Sequence, residues 1–199
     1  ESLVLEAKNI TFAYPGAEPV LSDVSLQVAP GERVALVAPS GFGKTTLCQV
    51  LAGYRQPTDG EVLVDGVPLP RRGVCPVQMI WQHPERVLDP RMRMMDSLLE
   101  AGKPSPQIIE GLGIQEKWKT RFPHELSGGE MQRFCIARAL TACPRYLIAD
   151  EVSTMLDAVT QAQLWHFLIE EVERRNIGML LVSHSPALLD KVATRIIEL

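Results

Sequence analysis

The sequence predicts an α/β domain built on a parallel sheet with helices on both faces. Three observations carry this. Short apolar runs of strand length occur at Arg33–Ala38, Tyr146–Ala149 and Gly178–Val182. Helical stretches alternate with them: Lys44–Ala52, with Leu47, Val50 and Leu51 on one face, and the amphipathic Thr160–Arg175. Continuous apolar strands are the kind buried on both faces, and helical crossovers are what parallel pairing requires. The length of 199 residues, with 46% hydrophobic and 22% charged residues, fits one globular domain.

The elements follow in order. Leu3–Tyr14 alternates apolar and polar residues, as a half-buried strand does, and Pro15-Gly16 stops it. Val20–Val28 reads as the next strand, and Pro30-Gly31-Glu32 turns the chain into Arg33–Ala38. Glu61–Val64 and Val67–Leu69 flank Asp65-Gly66, a dipeptide that favours a tight hairpin turn. Pro76–Trp81 is a further strand. From Gln82 to Leu126, Pro84, Pro90, Pro104, Pro106, Gly102, Gly111 and Gly113 break the chain into short helical pieces such as Met94–Ala101 and Gln107–Leu112. This predicts a small helical insert. Ser127 is an N-cap for a helix running to about Thr141, and a final strand precedes Leu199.

Charge and composition exclude several classes. The net charge is −4, from 20 basic and 24 acidic residues, and no basic run marks a nucleic-acid arm. No apolar run approaches the roughly 18–20 residues of a membrane span. Glu1–Ile10 lacks the basic and apolar regions of a signal peptide, and a chain that opens on Glu1 is expected to have its native start trimmed. Cys48, Cys75, Cys135 and Cys143 form no C-x-x-C pair and have no His at ligand spacing, which predicts reduced thiols in a cytoplasmic protein.

Two segments carry phosphate chemistry. Ala38-Pro39-Ser40-Gly41-Phe42-Gly43-Lys44-Thr45 lies between a strand and a helix and nearly fits G-x-x-x-x-G-K-[ST], with Ala38 at the first Gly. Glycines let backbone N–H groups curl around phosphate oxygens, and the helix N-terminus favours an anion. Lys44 would reach the β- and γ-phosphates and the Thr45 hydroxyl would bind Mg²⁺. Read alone, the segment is also compatible with an ordinary Gly-rich turn. Tyr146–Ala149 ends on Asp150 and Glu151, one carboxylate to hold Mg²⁺ and one to orient or deprotonate water. A second anion-binding device is Ser127-Gly128-Gly129, a hydroxyl and exposed amides at a helix start. A simple phosphate-loop kinase has no use for it.

Leu126–Glu130 followed by Gln132-Arg133 resembles the signature motif of ATP-binding cassette (ABC) ATPases, commonly LSGGQ-x-QR. The other family elements occur in order over essentially the whole chain. Tyr14 is similar to the aromatic residue that stacks on adenine, with strand packing as its alternative role. Pro39, Ser40, Gly41, Phe42, Gly43, Lys44, Thr45 and Thr46 resemble Walker A. Gln82 resembles the Q-loop glutamine, Asp150 and Glu151 resemble Walker B and the catalytic glutamate, Thr154–Asp157 resembles the D-loop, and His184 the switch histidine.

The resemblance implies a P-loop NTPase core of the ABC ATPase type over residues 1–82 and 144–199. That core would carry an N-terminal antiparallel β-subdomain, with a helical insert, 83–143, bearing the signature. It implies ATP and Mg²⁺, with Thr45, Gln82 and Asp150 on the metal and Lys44, Gln82, Glu151 and His184 in catalysis. It also implies a head-to-tail dimer with a second ABC ATPase subunit, in which Ser127, Gly128 and Gly129 act on the partner's nucleotide.

Val77–Pro84, Leu88–Arg91 and Phe122–Gly129 resemble the peptide and nickel importer branch. That implies transmembrane permease subunits, an extracytoplasmic substrate-binding protein acting indirectly, no nucleic acid, and a peripheral location at the cytoplasmic face of the membrane. An exporter ATPase or a non-transport ABC ATPase is the alternative. Ala38, Phe42 and Met155 depart from the family pattern, and the expectation attached to them is lowered affinity or turnover.

Overall fold

The computed structural model describes residues 3–199; Glu1 and Ser2, at the chain start, lie outside the described residues. In chain order the strands are β1 (Leu5–Ala13), β2 (Pro19–Val28), β3 (Arg33–Val37), β4 (Asp59–Val64), β5 (Val67–Pro68), β6 (Val77–Ile80), β7 (Tyr146–Asp150), β8 (Gly178–Val182) and β9 (Arg195–Glu198). The α-helices are α1 (Lys44–Leu51), α2 (Met94–Leu99), α3 (Pro106–Gly111), α4 (Gly128–Thr141), α5 (Ala158–Arg174) and α6 (Pro186–Val192).

Two sheets result. An antiparallel sheet has the order β2-β1-β4-β5, and a parallel sheet has the order β6-β7-β8-β3-β9. Asp65 and Gly66, between β4 and β5, take φ of 53° and 78°. Both central residues are left-handed, as a type I′ hairpin turn requires.

The parallel strands sort their side chains between two cores, because successive residues of a strand point to opposite faces. Leu147, Ala149, Met179 and Leu181 join a core formed with α2 to α6. Tyr146, Ile148, Leu180 and Val182 join the other, formed with α1 and the antiparallel sheet. The expected helical cover on both faces is therefore modified on one side. There α1 shares the face with β1, β2 and β4, whose alternating residues Leu5, Ala7, Ile10 and Val28 are buried against it. The chain between β6 and β7 holds α2, α3 and α4. Met94, Leu98, Ile108 and Trp118 pack there on Phe134 and Leu140 of α4, within the first core. Phe134 and Trp165 are core residues.

One helix lies outside the periodicity argument. The seven-residue α6 is not among the helices expected, and its start is fixed by Ser185, whose hydroxyl accepts from the Leu188 N–H. No described helix is long and apolar enough to cross a membrane. All four cysteines are free thiols.

The two sheets are tied together at Asp65. The Tyr146 hydroxyl donates to Asp65 Oδ1 at 3.1 Å, and Arg145 forms an ion pair with Asp65 Oδ2. Burial first, and then the Asp65 carboxylate, push the Tyr146 phenol from 10.0 up to about 12. The folded state therefore holds the proton more tightly than the unfolded chain, and this contribution is lost as pH rises from 10 towards 12. Tyr146→Phe is expected to lower stability at pH 7 by about 0.5–1.5 kcal/mol, the net worth of one such hydrogen bond. The same variant should show a shallower loss of stability above pH 10, measured by urea denaturation at both pH values.

Candidate active site

The site forms where the parallel strands end. Ile80 pairs with Ala149, Asp150 with Val182, and Ala35 with Leu181. The tips of β6, β7, β8 and β3 therefore lie in one row, and their next residues lead into Gln82, Glu151, His184 and the Ala38–Gly43 loop. Ligands of parallel α/β sheets bind at this carboxyl edge because the loops there are free to vary while the strands hold them.

The loop owes its shape to Gly41 and Gly43, which take φ of 81° and 92°. A Cβ on Gly43 would also lie 2.6 Å from Val20 Cγ1 on β2, so no side chain fits. Ala38 is not among the residues with positive φ. Its contribution is its carbonyl, which accepts from Lys44 Nζ at 2.8 Å and draws the ammonium across the loop. The Phe42 N–H donates to the Pro39 carbonyl at 3.1 Å and closes the turn, while the Phe42 ring packs against the core shared by α1 and the antiparallel sheet. Pro39 and Ser40 are exposed, and Thr46 is half-buried on the first turn of α1.

Across the strand tips, Thr45 Oγ1 donates to Asp150 Oδ2 at 2.9 Å. Burial raises the Asp150 pKa, opposed by that bond and by the Lys44 charge. Glu151 is 5% exposed and takes a left-handed φ of 52°, pinned by its N–H donating to the Val182 carbonyl at 2.9 Å. Such a conformation in a non-glycine residue is costly and concentrates at functional sites. Burial raises the Glu151 pKa, with His184 acting against it. Glu151 Oε1 has no hydrogen-bond partner, and His184 Nε2 lies 3.3 Å away. A buried carboxylate oxygen whose hydrogen-bonding capacity is not filled has room to take a water molecule. Gln82 is half-buried at the end of this row. Tyr14 stands just past β1 and is 41% exposed, with its ring edge-on to Phe12 at 5.1 Å.

Ser127, Gly128 and Gly129 are not brought to this row. They line a separate groove of about 660 Å³ together with Met155, Leu156 and Arg133. Ser127 accepts from the Glu130 N–H at 3.2 Å, and Glu130 Oε1 accepts from the Ser127 N–H at 2.9 Å. This capping box is what Glu130 does where the common signature has Gln. Met155, 45% exposed, lies over Gly128: a Cβ there would be 2.6 Å from its sulfur. The end of the flexible Met155 side chain thus occupies the space beside Gly128.

Two further residues join the site. The Arg55 guanidinium lies over the Tyr14 ring, 5.2 Å from its centroid, and is bonded to Gln49 on α1. Nothing local in the sequence marks Arg55, because the contact joins β1 to the loop after α1. Gln132, on the first turns of α4, donates to the Trp81 carbonyl at 2.9 Å.

The donor chemistry fits Mg²⁺. Thr45 and Asp150 offer two hard oxygens, and Mg²⁺ takes few protein ligands while keeping water and phosphate for the rest.

Comparison with known proteins agrees with this geometry. The family described as ABC transporter matches residues 21–154. The glutathione import ATP-binding protein of Pectobacterium atrosepticum is 31% identical over 97% of this chain. The chain spans 36% of that relative's length. The nickel import system ATP-binding protein of Staphylococcus aureus is 32% identical, over 98% of this chain and 86% of its own. Among solved structures, the dimeric post-hydrolysis state of the ATP-binding cassette MJ0796, bound to ADP and Pi, superposes with a TM-score of 0.85 at 25% identity. The match covers 98% of this chain and 94% of the other. A family match over most of the chain, with relatives this similar along nearly all of it and the same fold, means that the chain belongs to the ABC transporter family, as an ATP-binding cassette of its ATPase class.

Proposed function

We propose that this chain hydrolyses ATP to drive import of a small solute, of the peptide, nickel or metal-chelate kind, through membrane permease subunits. The observation that carries the ATPase reading is Glu151: a buried carboxylate with an unpartnered oxygen, one residue from the Asp150–Thr45 pair and in reach of His184. The import reading rests on the relatives, which are named for glutathione import and nickel import.

Each residue has a task in this reading. Tyr14 stacks on the base. Backbone N–H groups of residues 40–46, which include the start of α1, cradle the phosphates behind Pro39, with Lys44 neutralising β- and γ-oxygens. Thr45, Asp150 and Gln82 hold Mg²⁺, which when bound spreads the charge of the phosphates. Glu151 accepts a proton from the attacking water, whose oxygen bonds to the γ-phosphorus while the bridging oxygen leaves with ADP. His184 donates a hydrogen bond to the γ-phosphate. Ser127, Gly128 and Gly129 complete the nucleotide site of a second cassette, which accounts for the groove of their own that they line. In the domain division of 1–82 and 144–199 around an insert at 83–143, that groove is lined from both parts, by Ser127–Glu130 of the insert and by Met155–Asp157 of the core. The working assembly is a cassette dimer on two permease subunits at the cytoplasmic face of the membrane, with an extracytoplasmic binding protein delivering the solute.

ATP hydrolysis over a range of protein concentrations tests this reading. Turnover should rise faster than linearly with concentration. Glu151→Gln should retain ATP binding and lose about 10²–10⁴-fold in turnover, the usual contribution of a general base. Normal turnover by that variant would remove Glu151 from the role of general base.

The burial of Glu151 generates a second prediction. Its raised pKa means that the folded state disfavours the charged form, so stability present at and below the usual value of 4.5 is lost as pH rises through the folded value. Glu151→Gln is expected to be the more stable protein at pH 7, by about 2–4 °C in Tm for each kcal/mol relieved. The gap should close as pH falls towards 4.5 in a thermal scan series.

A further inference from the structure

Gln132 is 2% exposed, and only half of its amide is used. Its Nε2 donates to the Trp81 carbonyl at 2.9 Å, while its Oε1 is buried without a partner. An orphaned acceptor inside a core destabilises the fold, and an apolar side chain of the same shape would remove the problem. The amide is therefore poorly explained by stability, and the bond it makes is the feature to account for.

That bond joins two parts of the chain with different tasks. Gln132 sits on the first turns of α4, the helix that Ser127 caps and that begins with Gly128 and Gly129. Trp81 follows β6, and the residue after it is Gln82. Ile80, the last residue of β6, pairs with Ala149, so Trp81 and Gln82 leave the sheet beside the strand end that carries Asp150. The Trp81 ring is held from the other side, edge-on to Tyr54 with centroids 4.8 Å apart. The Trp81 carbonyl, by contrast, lies beyond the last paired residue of β6, where no neighbouring strand takes it up.

We infer that Gln132 is a positioning residue for Gln82: it holds the Trp81 carbonyl and so locks the Gln82 backbone to the helix carrying the Ser127–Gly129 turn. A shift of α4 is then felt at Gln82 through one hydrogen bond. The inference rests on the reading of Gln82 as a residue that touches nucleotide-bound Mg²⁺.

Gln132→Leu in the full chain separates positioning from packing. Three quantities are read: thermal stability, backbone amide exchange over residues 81–86, and ATP affinity with Mg²⁺ against ATP affinity with chelator. The expected result is an unchanged or higher Tm with exchange at 81–86 accelerated about tenfold and confined to that segment. The factor by which Mg²⁺ tightens ATP binding should fall about tenfold, the scale of losing an outer-shell support. Gln82→Ala should lower that factor similarly, and the double variant should fall no further.

Unchanged exchange at 81–86 would overturn the inference. So would a drop in Tm with faster exchange throughout the protein, or losses that multiply in the double variant. A Gln82→Ala protein with a normal Mg²⁺ factor would overturn the reading of Gln82, and the inference with it. A reduced factor in Gln82→Ala beside a normal one in Gln132→Leu would overturn the inference alone.

Discussion

The structure depends on β7 being held from both sides. Tyr146–Asp150 is buried at every position and pairs in parallel with β6 on one edge and β8 on the other. This fixes where the strand ends, and its last residue is Asp150. The sheet fixes the Asp150 backbone, and from there its carboxylate accepts from Thr45 on α1 at 2.9 Å. The following residue makes the abrupt exit through a left-handed backbone, and the Val182 carbonyl holds it there. Glu151 is thereby turned back over the sheet edge towards His184. Desolvation raises both carboxyl pKa values for the same reason that positions them: the strand end is inside the protein.

The departures from the family pattern find physical outlets. Ala38 lacks the freedom of glycine, but the left-handed turns of the loop fall on Gly41 and Gly43, and Ala38 serves through its carbonyl. Phe42 is large beside a phosphate site, yet its ring has a core to enter. Glu130 keeps the capping function because a carboxylate accepts from the Ser127 N–H as a side-chain amide oxygen does. Met155 is accommodated because Gly128 has no Cβ to meet it. In each case the side chain found a neighbour that a linear motif does not show.

The separation of the two glycine-led helix starts is the other organising feature. Both are helix starts with glycine-exposed amides, α1 after Gly43 and α4 after Ser127, but the two helices pack into the two different cores. The first grows out of β3 in the parallel sheet. The second belongs to the chain between β6 and β7, packed through Phe134 and Leu140. One link between them within the chain runs through the strand tip at Trp81 and the bond from Gln132.

Most of the architecture was legible from local pattern. The apolar run at Gly178–Val182, the Asp65-Gly66 turn and the Ser127 cap each declare themselves within a few residues, because period, φ preference and capping are local physics. The placement of the glycine loop between β3 and α1, and of Asp150 and Glu151 at the end of β7, was legible for the same reason: the pattern of residue types is local. The helix α6 was not, and neither was the sharing of one sheet face between α1 and β1, β2 and β4, which depends on how distant segments pack. Arg55 over Tyr14, Gln132 under Trp81, and the orphaned oxygen of Glu151 depend on contacts between segments far apart in the chain. Sequence alone determined which groups are available. Only the tertiary structure decided which of them are desolvated, which are bonded and which are left waiting, because burial and hydrogen-bond geometry are properties of the packed molecule.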